Sequence, residues 1–318
     1  MELLLAQPRG FCAGVARAVE IVERALELHG APVYVFHEIV HNGRVVGELA
    51  RRGAVFVESI EEIPREAVTV FSAHGVSRQV RADAARRGLR VIDATCPMVA
   101  KVHTQAERYA RLGHEIVMIG HPGHEEVEGT MGAVDGPVHL VAKVDDVATL
   151  PIAPDARVAY VTQTTLSVDD TRAIIEALQR RWPGISGPEL DDICFATQNR
   201  QTAVRSLAEQ VDVVLVLGAH NSSNSNRLRE VARNCGRPAY LIEDAAQLDP
   251  RWLAGRRRVG ITAGASVPEV LVTELCERVR ALGASAPREA AGERENVVFR
   301  LPDLTLAAPA VARARISA

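Results

Sequence analysis

Cys12, Cys96 and Cys194 stand at the same point of a unit that recurs three times along the 318-residue chain. Each is followed by an amphipathic pattern: AGVARAVEIVERALELHG, PMVAKVHTQAERYARLG and FATQNRQTAVRSLAEQV, with apolar residues at helical spacing. Short apolar segments come next (APVYVFHE, HEIVMIG, VDVVLVLG), and each runs into a polar loop. The spacing repeats as well: His41 lies 29 residues after Cys12, His124 lies 28 after Cys96, and Ser222 lies 28 after Cys194. One cysteine per unit predicts three thiolates converging about a pseudo-threefold axis. Three soft ligands leave a fourth position of a metal centre open to a substrate.

The units continue in parallel. A second helical stretch (RVVGELARRG, NRLREVARNCG, and a shorter, poorer one near VEGTMG) leads to the strand patterns AVFVES, PAYLIE and PVHLVA. A further strand, TVFSAH, VAYVTQTT or VGITAGAS, carries its own helix. Units one and two return to the next cysteine through LRVIDATC and PELDDIC, and MELLLAQPRGFC is expected to complete the third. Strands alternating with helices imply parallel sheets covered by helices. The expected fold is therefore α/β: three pseudo-threefold-related α/β domains with mostly parallel sheets around a central iron–sulfur cluster. The expected domains are 13–95, 96–192, and 193–283 with the N-terminal strand 1–12; a linker, the short strand VVFRLP and a poorly ordered tail fill 284–318. In such sheets ligands bind beyond the carboxyl ends of the strands, where all the polar loops lie.

A hydrophobic content of 47% supports ordinary buried cores, and at 4% aromatics those cores must be aliphatic. The formal charge of −3 and the lack of a basic stripe give no case for nucleic acid. No apolar run reaches the ~18 residues that a membrane helix needs. The chain opens in a strand-like segment without a signal peptide, so a cytoplasmic protein is expected. Five cysteines, an odd number, argue against a disulfide framework and for thiol or metal chemistry.

Cys235 and Cys276 have no counterparts in the other units and are expected to be small core residues. The other three share contexts. Gly10 and Gly14 flank Cys12 and let the backbone approach a bulky group, and Pro97 follows Cys96 at a helix start. Helix N-termini favour the thiolate. No paired CxxC suggests a closed zinc site; three thiolates suit an iron–sulfur cluster with one iron open. The loops bring His41, His74, His124, Glu126, Thr164, Thr165, Ser222, Ser223, Asn224 and Ser266 to one face. Singly, such residues are most often solvated turn residues or helix caps; their recurrence at equivalent positions points to a pocket. Rich in His, Ser and Asn, it suits a phosphorylated ligand, with Glu126 the natural proton donor near an open iron. No GxGxxG or GxxxxGK[ST] motif indicates a nucleotide, so electrons must come from a protein or dye. His103, His114, His139 and His220 have no matched partners and are expected at surfaces or strand edges.

Together PRGFCAGVARAV, HEIVHN, FSAHGVS, DATCP, GHPGHEEVEGTMG, TQTTLS, DDICFATQNRQ, NSSNSNRL and TAGAS closely resemble the LytB family, the hydroxymethylbutenyl diphosphate reductases that end the non-mevalonate isoprenoid pathway. The resemblance spans residues 1 to about 300, with every motif in order. It implies a [4Fe-4S] cluster with three cysteine ligands, here Cys12, Cys96 and Cys194. It also implies diphosphate binding by His41, His74, His124, Ser222, Ser223, Asn224 and Ser266, and Thr164 near the substrate hydroxyl. By the same resemblance the hydroxyl meets the open iron, Glu126 delivers the proton, and isopentenyl and dimethylallyl diphosphate result. The implied partners are the small allylic diphosphate and an electron-donor protein such as ferredoxin or flavodoxin. Two other readings use the same cysteines: an iron–sulfur hydro-lyase without net redox, and a non-catalytic redox sensor. The first lacks a need for an electron donor; the second leaves Glu126 and the histidine loops without a task.

Overall fold

The computed structural model describes residues 1–188 and 192–306. Strand β1 (Glu2–Leu5) and helix α1 (Ala13–His29) lead into β2 (Val33–Phe36), α2 (Gly43–Arg51), β3 (Ala54–Val57), β4 (Val68–Phe71), α3 (Arg78–Arg86) and β5 (Arg90–Asp93). The second stretch holds α4 (Pro97–Arg111), β6 (Glu115–Ile119), α5 (Glu125–Met131), β7 (Val138–Val141), α6 (Val144–Thr149), β8 (Val158–Thr162) and α7 (Val168–Arg181). The third holds α8 (Phe195–Gln210), β9 (Val213–Leu217), α9 (Ser223–Asn234), β10 (Ala239–Ile242), β11 (Arg258–Ala263), α10 (Glu269–Ala281) and β12 (Pro287–Glu289).

These strands form three parallel sheets ordered β3-β2-β4-β5, β7-β6-β8 and β10-β9-β11-β1-β12. The first and third share one topology once β1, from the chain start, is set beside β11 with Leu3 opposite Val259. In the second sheet the place of that fourth strand is held by a single parallel bridge from Ser186 to Ala159. PELDDIC lies partly outside the described residues.

The strand sequences explain why each sheet is covered on both faces. Val213, Leu215 and Leu217 of β9 enter one core, and Val214 and Val216 enter the core behind it. Val117 and Ile119 of β6 divide from Ile116 and Met118 in the same way. A strand buried on both sides has no polar face, so it reads as a continuous apolar run. The cores are aliphatic, as the aromatic content requires.

The C-terminal segment departs from expectation. VVFRLP forms no strand; instead β12, inside the expected linker, takes the free edge of β1. Pro287, which has no N–H to offer a ladder, is tolerated because this is an edge. The chain after it runs over the cysteine-bearing helices, and its carbonyls are taken by side chains: Arg17 donates to Arg300 O at 2.8 Å, and His29 Nε2 lies 2.9 Å from Leu304 O. Among the described residues this stretch pairs with no strand. Beneath it Arg200, fully buried, pairs with Glu295 at 3.0 Å and donates to Gly10 O and Ala196 O. That guanidinium ties the Cys12 turn to the start of the Cys194 helix. The tail from Ala307 lies outside the described residues.

Two smaller expectations are also corrected. His103 is buried in α4 beneath the Gly75 turn, and burial lowers its pKa to about 4. Cys276 is a core residue as expected, but Cys235 caps α9 in the open. Among the described residues no helix is long and apolar enough to cross a membrane.

Candidate active site

Every residue picked out by the repeat lines one cavity: Cys12, Cys96, Cys194, His41, His74, His124, Glu126, Thr164, Ser222, Ser223, Asn224 and Ser266. They share an origin in topology. His41, His74, His124, Thr164, Ser222 and Ser266 follow the carboxyl ends of β2, β4, β6, β8, β9 and β11. That is the end at which parallel sheets present loops and helix N-termini. The sequence also pointed to Thr165, and it is there, donating to Ser223 Oγ at 3.1 Å. Val15, Val40, Met98 and Val99 line the wall too; they were missed because an apolar residue, in a helix pattern or in the loop after β2 as Val40 is, is read as core.

The cysteines are the N-caps of α1, α4 and α8. Cys12 Sγ accepts Val15 N–H at 3.5 Å; Cys194 Sγ accepts Thr197 N–H at 3.4 Å and lies 3.2 Å from Thr197 Oγ1. None is in a disulfide. Burial pushes the Cys96 thiol up to about 12 and that of Cys194 up to about 11. Buried thiols of this kind ionise only when a cation replaces the proton. Gly14 supplies the direct test of fit: a Cβ there would sit 2.6 Å from Cys96 Sγ and 3.9 Å from Cys12 Sγ. Two sulfurs converge where only a glycine leaves room, in a set of soft donors free of disulfides. These residues fit a thiolate-bound iron–sulfur group. Gly14→Ala is accordingly expected to fold, by circular dichroism, yet to bind less than about a tenth of the wild-type iron; such a loss matches the 10–100-fold cost of disturbing a metal site from its outer shell. Full iron content in that variant would show that the approach of Cys96 to Cys12 is incidental.

Opposite the thiols, Glu126 is 2% exposed. Its carboxyl accepts Thr164 N–H at 2.6 Å and Thr164 Oγ1–H at 3.0 Å. Burial nonetheless raises it to about 7, against the pull of those hydrogen bonds. A carboxyl so placed holds a proton near neutrality and can give it up.

The third side is a cluster of imidazoles. His41 and His74 stack with centroids 4.3 Å apart, and His124 meets both edge-on at 5.7 and 5.8 Å. His41 Nδ1 lies 3.1 Å from Glu38 Oε2, and His74 Nδ1 lies 2.6 Å from Glu125 Oε2. His124 Nδ1 instead accepts Glu126 N–H at 3.2 Å, and burial lowers this imidazole to about 3. Ser266 Oγ donates to His41 O at 2.9 Å, joining the first and third sheets' loops. Ser222 caps α9, and the buried Asn224 leaves both side-chain polar atoms without a protein partner. Buried polar atoms rarely stay unpaired, so both polar atoms of this amide are free to bond a ligand in the cavity. Among the described residues no lysine or arginine lines the cavity. Glu38 and Glu125 carry no repeat signature, and the sequence alone did not single them out.

Comparisons with known proteins place the chain as a whole in a family. Residues 3–280 match the family described as LytB protein. The 4-hydroxy-3-methylbut-2-enyl diphosphate reductase of Bordetella pertussis is 61% identical over 301 residues, covering 95% of this chain and 93% of its own. The enzyme of the same name from Xanthomonas campestris is 57% identical over 307 residues, covering 95% and 97%. Among solved structures, the E-1-hydroxy-2-methyl-but-2-enyl-4-diphosphate reductase of Plasmodium falciparum matches with a TM-score of 0.86 at 36% identity, over 96% of this chain and 95% of that one. A second, described as the terminal enzyme of the non-mevalonate pathway, matches with a TM-score of 0.64 at 32% identity, over 88% and 100%. The parallel sheets, the shared cavity and these likenesses lead to one conclusion: the chain belongs to the LytB family.

Proposed function

We propose that the protein reduces 4-hydroxy-3-methylbut-2-enyl diphosphate to isopentenyl and dimethylallyl diphosphate, using a [4Fe-4S] cluster on Cys12, Cys96 and Cys194. The observation that carries the reading is one cavity in which three free thiols, a proton-holding carboxyl and a wall of histidine, serine and asparagine side chains meet. The reaction breaks a C–O bond and makes a C–H bond, taking in two electrons and two protons and releasing water. When bound, the cluster supplies the electrons and a Lewis-acidic iron. Cys12, Cys96 and Cys194 would hold the cluster with three ligands, and an iron without a protein ligand would supply its Lewis-acid chemistry to the substrate.

The chain's own residues do the rest. Glu126 holds a proton at its carboxyl and delivers it to the departing hydroxyl, while Thr164, bonded to both carboxyl oxygens, fixes its direction. His41, His74, His124, Ser222, Ser223, Asn224 and Ser266 take the diphosphate through imidazole, hydroxyl and amide groups. The N-terminus of α9, with Ser222 to Asn224, adds backbone N–H groups and a positive dipole end. Val15, Val40, Met98 and Val99 keep water from the reacting carbons. The three repeat units act as domains around the cluster. Electrons come from a cytoplasmic one-electron donor protein such as a ferredoxin or flavodoxin.

The test is anaerobic turnover by the reconstituted protein with and without a strong one-electron donor. Both five-carbon diphosphates are expected, only with the donor. Turnover without a donor would mean a hydro-lyase, and no turnover from cluster-loaded protein would remove the substrate assignment.

A further inference from the structure

Among the described residues the cavity has no lysine or arginine, so any positively charged side chain facing an anion there must be an imidazole. A neutral imidazole carries one N–H, and which nitrogen bears it is set by the partner of the other. For His124 the answer is built into the helix start: Nδ1 accepts Glu126 N–H, so the proton must be on Nε2. His41 and His74 have no such backbone donor. Each has a carboxylate at Nδ1 instead, Glu38 at 3.1 Å and Glu125 at 2.6 Å. Glu38 is itself held by Asn221 Nδ2–H at 3.2 Å, from the loop before α9.

We infer that Glu38 and Glu125 are positioning residues of the anion subsite: Glu38 binds Nδ1–H of His41, Glu125 stands as the ion-pair partner of His74 Nδ1, and each thereby turns Nε2–H of its histidine towards the ligand, Glu125 supporting the His74 imidazolium that forms when the anion arrives. This rests on the diphosphate reading above and extends it to two residues that touch no ligand. The alternative arrangement is costly. Two imidazoles stacked 4.3 Å apart repel each other once both are charged. A carboxylate behind each offsets that repulsion, and an anion in front completes a carboxylate–imidazolium–phosphate row. The groups facing His74 are Glu125 and His124 from the start of α5, and His41 and His37 from the loop after β2. Burial lowers the His74 pKa and Glu125 is the largest influence opposing it, which agrees with the geometry.

The pairing makes a prediction opposite in sign to simple repulsion. If Glu125 were only a negative charge near an anion, Glu125→Gln would tighten binding. As a positioning residue, its loss weakens binding by about ten- to a hundredfold, the usual cost of removing the group that orients a histidine. Without the carboxylate His74 loses its proton at lower pH, so the pH above which affinity falls must also move down.

The experiment is calorimetry of inorganic diphosphate with the cluster-loaded protein, its Glu38→Gln, Glu125→Gln and Glu125→Asp variants and His74→Ala, between pH 6 and 9 (the range about ordinary histidine titration). Nitrogen NMR of the unliganded protein reports the His41 and His74 tautomers. Weaker binding in both Gln variants, a pH limb moved down, partial recovery in Glu125→Asp and loss of the Nδ1–H signature would support the inference. Unchanged or tighter binding in Glu125→Gln, or an unchanged His74 tautomer, would overturn it. If the wild type binds no diphosphate, or His74→Ala binds as well, the anion reading itself falls and the inference with it.

Discussion

Glu126→Gln is expected to lower turnover by about 10²–10⁴-fold, the usual contribution of a positioned acid, with cluster absorbance and substrate affinity little changed. The substitution keeps the shape of the side chain and both contacts to Thr164: the amide oxygen accepts Thr164 N–H, and its NH₂ can donate to Thr164 Oγ1. What it removes is the proton. The pH dependence follows from the same burial. Glu126 is raised from 4.5 to about 7, so its donating form is lost as pH rises through about 7, and turnover should fall over that range. That limb should be absent in the variant. Stability runs in the same direction. A carboxyl whose folded pKa lies above its unfolded value contributes stability that is fully present below 4.5 and lost as pH rises through about 7. Near-normal turnover in Glu126→Gln, or a pH limb that survives it, would remove the assigned role.

Replacing any of Cys12, Cys96 or Cys194 by Ser is expected to lower cluster content and cut activity by more than about 100-fold, beyond what an outer-shell partner of a metal site costs. A hard hydroxyl is a poor substitute for a soft thiolate on iron. The controls lie in the same chain. Cys235 is exposed at the end of α9 and Cys276 is packed in the core beneath β11. Cys235→Ser should keep full iron and sulfide content. The contrast separates a specific three-thiol site from general thiol damage, because the exposed Cys235 thiol is the one most open to oxidation in a mishandled preparation. Loss of iron in Cys235→Ser would show that the repeat selected the wrong cysteines.

Much of this was legible in the chain because the repeat ties distant positions together. His41, His124 and Ser222 stand at nearly equal distances from their cysteines, and the sheets place all three beyond a strand's carboxyl end. Strands such as VVLVL could be read as doubly covered because a two-sided burial leaves no alternation to hide. The illegible parts are those decided by tertiary partners. PRE of β12 has no strand propensity of its own and is drawn into the sheet by the open edge of β1. VVFRLP looks like a strand, but no neighbouring strand among the described residues offers it an edge, and its Arg300 carbonyl accepts from the Arg17 side chain instead. His103 reads as a surface residue because no local pattern announces the glycine turn that covers it. Glu38 and Glu125 each sit beside a histidine in sequence, but their pairing with His41 and with the distant His74 exists only in three dimensions.

The central claim is that three cysteines hold the cluster and leave one iron for the substrate. Mössbauer spectroscopy of the iron-enriched, reconstituted protein tests this most directly, recorded before and after adding the hydroxylated diphosphate. The account predicts one iron distinct from the other three, and a change confined to that iron when substrate binds. Four equivalent irons, unmoved by substrate, would contradict it.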